Sequence, residues 1–463
     1  MTNFISALFS LFLITLTVSP LNAQSVPTSQ AQIAMSFVPV VKKATPAVVN
    51  IYARRAVQAR QSPFLGDPFF DRFFREFGQA RPQVQNSLGS GVILTESGII
   101  VSNYHVVGDA TEIRVVLSDR REFSAEVLLG DEDSDLAILK LDTDEALPFL
   151  TMRDSDTVEV GELALAIGNP FGVGQTVSSG IVSGLARSGI ATGSARGYFL
   201  QTDAPINPGN SGGALVDLNG DLIGINTAIL TRSGGSNGIG FAIPTNLVAQ
   251  FVAQAEAGNR RFERPWAGIT GQPVTSDLAE ALGLAIPEGI VIADLHPLSP
   301  FAEAGFVPGD VITGVNGQSV NTPAEMVYHM SVIGIAATLD VAYLRATTMS
   351  TRTVDLIAPP EDPPRNTTRV PPGITLQGLT VANANPALEI ELNLPPDQNG
   401  VLVLNPGPIG ARVGIRAGDR IITINQIEIR EASEVPKALA GSQRSVAVNV
   451  ERKGRRFALR ARL

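Results

Sequence analysis

The stretch "NPGNSGGALV", residues 207 to 216, decides how the rest of the chain is read. Its centre, Gly209-Asn210-Ser211-Gly212-Gly213, fits G-x-S-x-G, the sharp turn that exposes a nucleophilic serine in α/β-hydrolases. The same letters fit the nucleophile loop of a serine protease built from β-barrels, and they also fit a plain Gly/Asn/Ser turn between strands. The flanking residues separate these readings. An α/β-hydrolase elbow needs a helix after the serine, with the acid and the histidine later in the chain. Here "ALVDLNGDLIGI" follows, a hairpin pattern in which Asn219-Gly220 suits a tight primed turn. The histidines downstream are His296, in the loop-like "DLHPLS", and His329, in the helical "MVYHM"; both lie in a different part of the chain. The elbow is excluded.

At 463 residues the chain is too long for one core, and its length suggests about three domains. The 44 glycines and 31 prolines suit short strands and tight turns better than long helices. A formal net charge of -9 argues against nucleic acid as the main partner, since phosphate backbones call for dense Lys/Arg. The basic C-terminal run "ERKGRRFALRARL" alternates charge with apolar residues and reads as a strand with a solvated face. There are no cysteines, so disulfides, thiol catalysis and Cys-ligated zinc are excluded; no metal or cofactor is expected. Residues 1–23, a long apolar run followed by Pro20 and Ala23, resemble a secretory signal peptide. They contain no Lys or Arg, and because the apolar run Phe4–Leu21 approaches spanning length a retained inner-membrane anchor stays open.

From about Pro46 to Ile243 the chain reads as an all-β unit in two sets of about six strands, with the half-buried alternation of Phe123, Ala125 and Val127 as an example. A Phe-rich segment of mixed charge, residues 62–87, interrupts it and reads either as a surface loop or as a gating or self-association surface. "PTNLVAQFVAQAEAG" then predicts a helix, capped by Thr245 or Asn246 and ended by Gly258. Beyond it the chain repeats itself. "SPFAEAGFVPGDVITGVNGQSV" (299–320) aligns with "GPIGARVGIRAGDRIITINQIEI" (407–429), matching Gly305 to Gly414, Gly309-Asp310 to Gly418-Asp419 and Asn316 to Asn425. These are two copies of one β-rich module, at 262–358 and 370–463. Each has a short helix late in the copy, Pro323–Met330 opened by a Thr322/Glu325 capping box and Ser433–Ala440 stopped by Gly441. Residues 359–369, in a Pro-rich polar stretch, are expected to be a linker.

The histidine inside the all-β unit is His105, at the end of a strand in "GIIVSNYHVVGDA". Asp135, where a loop enters the strand of "DEDSDLAILKL", is the best acid to orient it; Asp131 and Asp133 lie further into a solvated acidic loop. Each residue alone is an ordinary structural one. Together, in the order His…Asp…Ser, they form the set used by chymotrypsin-type double barrels: a nucleophilic hydroxyl, a neutral imidazole base and a carboxylate that fixes its tautomer. The glycines around Ser211 allow the backbone N–H groups of Gly209 and Ser211, with Asn210 between them, to point at a developing oxyanion.

"SNYHVV", "SDLAIL", "TDAPINPGNSGGALV" and "GIGFAIP", followed by the two modules, resemble the HtrA (Deg, peptidase Do) family of bacterial periplasmic serine endoproteases with two PDZ domains. The resemblance implies a chymotrypsin-like double β-barrel over residues 24–258 and two PDZ-like modules. It implies His105, Asp135 and Ser211 as base, acid and nucleophile. Residues 226–230, "NTAIL", would pair with the substrate backbone, placing Thr227, Ala228, Ile229, Leu230 and Thr231 against it, and Ile206, Ile229 and Leu230 would line an aliphatic pocket. Arg187 would relay peptide occupancy from the loop 187–197. In the first module Trp266, Ala267, Gly268, Ile269 and Thr270 would hold a peptide carboxylate; in the second, Leu376 to Val381 is a looser match. Unfolded proteins and peptides, especially their C-termini, are the implied partners, with a homotrimer or multiples of it as the implied assembly. The chain lacks a P-loop, which suits ATP-independent action. Two classes of function follow: a periplasmic protease of misfolded exported proteins, or a peptide-binding chaperone whose protease site is mostly closed.

Overall fold

The computed structural model describes residues 36–56, 84–169, 174–188, 198–207, 209–229, 238–396, 399–440 and 445–462. The expected signal peptide, most of the Phe-rich segment, and Leu230 and Thr231 lie outside these residues.

The alternation of apolar residues closes two six-stranded barrels. The first contains β1 (Val48–Ala56), β2 (Val84–Ile93), β3 (Ile99–Ser102), β4 (Glu112–Val116), β5 (Glu122–Asp131) and β6 (Leu136–Leu141), hydrogen-bonded in the order β1-β2-β3-β6-β5-β4. The second contains β7 (Leu163–Gly168), β8 (Thr176–Ser188), β9 (Tyr198–Thr202), β10 (Ala214–Val216), β11 (Leu222–Ile229) and β12 (Gly240–Pro244), in the order β10-β11-β12-β9-β8-β7. The two sets of six strands match the strand count, and the chymotrypsin-like double barrel is the one that the order of His, Asp and Ser and the family resemblance imply. Two local expectations change. Residues 84–87, read as the end of the Phe-rich loop, belong to β2 and pair with β1. The β10–β11 hairpin turns with Gly220 alone at positive φ (+75°), so Asn219 does not form a primed turn; its N–H is instead bonded to the Asp217 side chain.

Helix α1 (Thr245–Glu256) follows β12 and packs Leu247, Val248 and Phe251 inward. Its N-cap is Pro244 with no side-chain cap. Thr245 and Asn246, expected to cap it, reach across instead: Thr245 Oγ1 donates to Arg153 O at 2.6 Å, and Asn246 bonds Ser155 N and Asp154 Oδ1 at 3.0 and 2.7 Å. They tie the helix to the stretch joining the two barrels.

The first module forms β13 (Ile269–Pro273), β14 (Ile290–Leu295), β15 (Val311–Val315), β16 (Gln318–Ser319), β17 (Thr338–Arg345) and β18 (Thr348–Asp355), with α2 (Pro323–Ile333) behind them. Thr322 caps α2 by accepting from Glu325 N, while Glu325 accepts from Asn321 N. The second module forms β19 (Thr368–Arg369), β20 (Thr380–Asn383), β21 (Val401–Asn405), β22 (Arg420–Ile424), β23 (Ile427–Glu428), β24 (Ser445–Arg452) and β25 (Arg455–Arg462), with a 3₁₀ turn over Ala432–Glu434 running into α3 (Val435–Ala440). Residues 359–369 are therefore not a free spacer. They carry β19, whose β-branched Thr368 lies on the sheet of the second module.

The repeated letters have one physical cause in both copies. Gly305 and Gly414, Gly309 and Gly418, and Asn316 and Asn425 all hold positive φ. The paired aspartates are buried and identically bound. Asp310 accepts from Val307 N and from the Arg345 guanidinium, and Asp419 accepts from Arg416 N and from Arg452. Each arginine also donates to the carbonyl of the matched glycine, Gly305 or Gly414.

Aromatic contacts seat the first module on the barrels. Phe251 of α1 stacks on Phe262 (centroids 3.9 Å apart, 12° between planes), and Tyr198 of β9 stacks on Tyr328 of α2 (3.8 Å, 9°). Phe251 is fully buried. Phe251→Ala is expected to lower the stability of the protease transition by about 3–5 kcal/mol, because a buried ring and its stacking partner are lost together. Urea unfolding followed by far-UV circular dichroism, with the PDZ-region signal as internal reference, checks this.

Candidate active site

The first barrel supplies the histidine and the acid from one end. β3 pairs antiparallel with β6, with Ser102 opposite Ala137. The chain leaving β3 turns immediately through the short helix Tyr104–Val107, which carries His105, while Asp135 immediately precedes β6 at φ +53°. Asp135 is fixed through its backbone: its carbonyl accepts from Tyr104 N (3.2 Å) and from Asn103 Nδ2 (2.9 Å). Its carboxylate takes His105 N (3.0 Å) and lies 2.8–2.9 Å from His105 Nδ1. Asp131, expected in a solvated acidic loop, is instead bound by Arg264 and by Ser134 N. Arg264 also donates to Ser134 Oγ at 2.6 Å, so the turn leading into Asp135 is held by the segment that enters the first module.

The second barrel contributes the serine. Ser211 lies just before β10, where β10 is hydrogen-bonded to both β7 and β11. Its surrounding glycines are sterically required. A Cβ on Gly212 would lie 2.1 Å from Ser90 O, and one on Gly213 would lie 2.2 Å from Ile167 O. Ser211 Oγ donates to Thr227 O at 3.0 Å, and Thr227 Oγ1 donates to Asp135 Oδ2 at 2.6 Å. Thr227, expected only to face substrate, thus links the serine of one barrel to the acid of the other. Burial by itself would pull the pKa of His105 down, but the charge and hydrogen bond of Asp135 outweigh it and hold the group above its ordinary value.

The loop before Ser211 is ordered from across the barrel interface. Ser90 of β2 donates from Oγ to Gly209 O (2.7 Å) and accepts from Asn169 N (2.9 Å). Its backbone N–H donates to Ser211 O (2.9 Å), and its carbonyl accepts from Ser102 Oγ (2.8 Å). With Gly209 at φ +95° and its carbonyl tied inward, the N–H groups of Gly209 and Ser211 have no acceptor among the described residues. Asn210 lies between these two donors. Its N–H donates to Asn207 O at 2.9 Å, so it closes the turn and is not itself a third donor.

Ser90 was not singled out in the sequence, although a trace of it is present there. Gly89-Ser90-Gly91 sits inside a strand, where glycine weakens the ladder and marks close approach. A Cβ on Gly89 would meet the Val106 side chain at 2.7 Å.

Of the other expected residues, Ile206 is buried in the core of the second barrel, where a Cβ on Gly240 would meet its Cδ1 at 2.7 Å. Ala228 and Ile229 lie on β11, and Arg187 lies on β8 opposite Phe199; the side chains of these three are outside the described residues. In the first module Trp266 pairs with Ile357, and its ring meets His296 edge-on. Ser299 Oγ donates to Ala267 O at 2.6 Å, and His296 N donates to Gly268 O at 2.8 Å. With Gly268 at φ +61°, the N–H groups of Ala267 and Gly268 have no acceptor among the described residues, just ahead of Ile269 and Thr270 on β13. No group of His, Asp and Glu side chains suited to a metal occurs among the described residues.

This architecture defines a trypsin-like serine peptidase that carries two PDZ domains. Residues 89–225 match the trypsin-like peptidase domain family, and residues 265–356 and 400–452 each match a PDZ domain. The chain is 38% identical over 441 residues to the "Probable periplasmic serine protease do/HhoA-like" of Haemophilus influenzae, covering 92% of this chain and 91% of that one. It is 37% identical over 467 residues to the "Periplasmic serine endoprotease DegP" of Escherichia coli K12, covering 94% of each. Among solved structures, the HtrA-type protease AlgW with tripeptide superposes with a TM-score of 0.54 at 38% identity, covering 70% of this chain and 98% of that one. The chain belongs to the DegP/HtrA family of periplasmic serine endoproteases. Among the described residues no helix is long and apolar enough to cross a membrane.

If Ser90 sets the orientation of the Gly209 peptide, Ser90→Ala is expected to lower kcat about 10–100-fold and leave KM nearly unchanged, somewhat less than deletion of an oxyanion donor itself. Steady-state kinetics on a chromogenic peptide reads the split; a rise in KM with kcat intact would assign Ser90 to substrate binding instead.

Proposed function

We propose that the chain is an ATP-independent endoprotease that uses Ser211, His105 and Asp135 to cleave misfolded or damaged exported proteins. The observation that carries this reading is the Asp135 carboxylate, bonded at once by His105 Nδ1 and by Thr227 Oγ1, with Ser211 Oγ on the carbonyl of the same threonine. Asp135 holds the proton on Nδ1, which leaves Nε2 of His105 as the base. The Ser211 hydroxyl turns its proton from Thr227 O toward Nε2 as Oγ attacks the substrate carbonyl. The N–H groups of Gly209 and Ser211 take the developing oxyanion. The imidazolium then protonates the leaving amine, and water, activated by the same base, releases the acyl group.

β11, with Thr227, Ala228 and Ile229, is the strand along which an extended substrate adds. In the first module, β13 and the N–H groups of Ala267 and Gly268, which have no acceptor among the described residues, take a substrate C-terminus. Arg187, near the end of β8, relays that occupancy. The protein acts in the periplasm after removal of residues 1–23, as a homotrimer or a multiple of it. One observation favours a second, chaperone-like role with the protease site mostly closed: the Ser211 hydroxyl donates to Thr227 O at 3.0 Å and must turn before it meets His105.

Casein degradation and fluorophosphonate labelling test the first reading, and both are expected to vanish in Ser211→Ala. Activity that survives this change removes Ser211 as nucleophile, and suppression of aggregation that survives it supports the second role. The base must be neutral, and Asp135 holds its pKa above the usual ~6.5. kcat/KM is therefore expected to rise with pH through a midpoint above ~6.5 and to level off beyond it. Asp135→Asn is expected to cost about 10⁴ in kcat and to move that midpoint to lower pH, because the raising influences are lost. A pH–rate profile of both proteins checks this; a flat profile between pH 5 and 8 contradicts the role of His105.

A further inference from the structure

The two modules treat the same edge of the same sheet differently. The pairing registers superpose one on the other: Thr270 opposite Asp294 corresponds to Thr380 opposite Asn405, and Pro273 opposite Ile290 corresponds to Asn383 opposite Val401. β13 and β20 are thus equivalent strands, and Gly268 is equivalent to Gly378, both at positive φ. In the first module β13 is the outermost strand, and Thr270, Gln272 and Pro273 are exposed. In the second module β20 has a further strand, β19, on that edge, and Val381, Ala382 and Asn383 are buried.

The strand on that edge comes from the stretch that joins the modules, and it runs antiparallel to β20, as an added peptide does. Asn383 N donates to Arg365 O at 2.7 Å, Thr368 and Arg369 pair with Val381 and Thr380, and Val370 N donates to Leu379 O at 2.8 Å. The segment ends at the turn equivalent to the first module's Ala267-Gly268. There Gly378 N donates to Val370 O at 3.0 Å, whereas the equivalent Gly268 N–H has no acceptor among the described residues. The Val370 side chain is 1% exposed and joins the core that includes Leu376, Leu379, Val435 and Leu439. The upstream end is anchored as well. Arg365 donates to Glu361 and Glu391, and Asn383 Nδ2 donates to Pro364 O.

Resting on the reading of the modules as binders of extended peptides, we propose that the second module is a peptide site already filled by its own chain. Residues 365–370, Arg-Asn-Thr-Thr-Arg-Val, are the ligand strand, and Val370 stands in the place of a C-terminal aliphatic residue. Its carbonyl takes the Gly378 N–H that a ligand carboxylate would take, and the chain then continues through Pro371-Pro372-Gly373 instead of ending. The site selects an aliphatic last residue on an otherwise polar strand. Because the segment is tethered, it presents itself at an effective concentration on the order of millimolar, so a free peptide of micromolar affinity is outcompeted about 10³-fold. Capture of free C-termini by the intact chain therefore falls to the first module.

The full-length Ser211→Ala protein is the test object, and the probe is the peptide Pro-Pro-Arg-Asn-Thr-Thr-Arg-Val with a free carboxylate and a photoreactive group at its amino end. Cross-links are mapped by mass spectrometry. The second module is expected to stay unlabelled, and Val370→Asp or Thr368→Pro is expected to raise its labelling about tenfold or more by freeing the edge. Equal labelling of the second module before and after substitution overturns the proposal. Amide exchange on the unsubstituted chain decides independently of whether a variant folds. Val370, Gly378 and Asn383 amides are expected to exchange about 100-fold or more slowly than unbonded surface amides, and exchange at the unbonded rate overturns the proposal. Labelling near Gly268 reads the first module separately, so loss of peptide capture there bears on the proposed function and not on this site.

Discussion

The site depends on a single carboxylate that both barrels grip. Asp135 belongs to the first barrel, as does the His105 it orients, but Thr227, from the second, donates to its second oxygen. The same threonine's carbonyl holds the serine hydroxyl. Ser90 repeats the arrangement on the other side, reaching from the first barrel to Gly209, Asn169 and Ser211 of the second. Neither barrel alone contains all the residues of this bonded set. Ser211, His105 and the N–H groups of Gly209 and Ser211 share one geometry only while the barrels keep their register, and close packing of two rigid cores maintains it.

The C-terminal modules show how a short list of residues fixes a fold twice. A glycine at positive φ, a buried aspartate on a turn N–H and an arginine bridging that aspartate to the glycine carbonyl recur with the same bonds. An asparagine at positive φ then ties the next strands: Asp340 N donates to Asn316 Oδ1, and Ala447 N donates to Asn425 Oδ1. A buried charge is tolerated here because every oxygen of it has a donor.

Much of this was legible in the residues, for identifiable reasons. The strands follow from alternation, and the repeat from glycines and asparagines whose backbone conformation admits few alternatives. Ser211, His105 and Asp135 could be picked out as candidates because few residue types suit such chemistry and their order in the chain was informative, and the structure links them through Thr227. What was missed depends on partners far away in sequence. Thr227 reads only as a residue facing substrate, because its bond to Asp135 spans 92 positions. Thr245 and Asn246 look like helix caps until the 153–155 stretch is beside them. Pro-rich polarity around 359–369 gives no hint that Val370 closes a core, since a single apolar residue in such a stretch carries no period. Asn210 fits the oxyanion loop by position, and only the turn back to Asn207 shows where its N–H goes.

One consequence of the open β13 edge concerns valence. If, as proposed above, β13 is the one module edge that takes a free C-terminus, each chain is a monovalent receptor for such termini, whatever number of modules it carries. A long unfolded polypeptide held at a single point dissociates at the rate of that contact. Prolonged retention then requires copies of the chain side by side, each adding one contact and together giving an avidity of about 10²–10⁴ over a single one. Residence time on the protein becomes a count of neighbouring subunits, and a released fragment too short to span two of them leaves first.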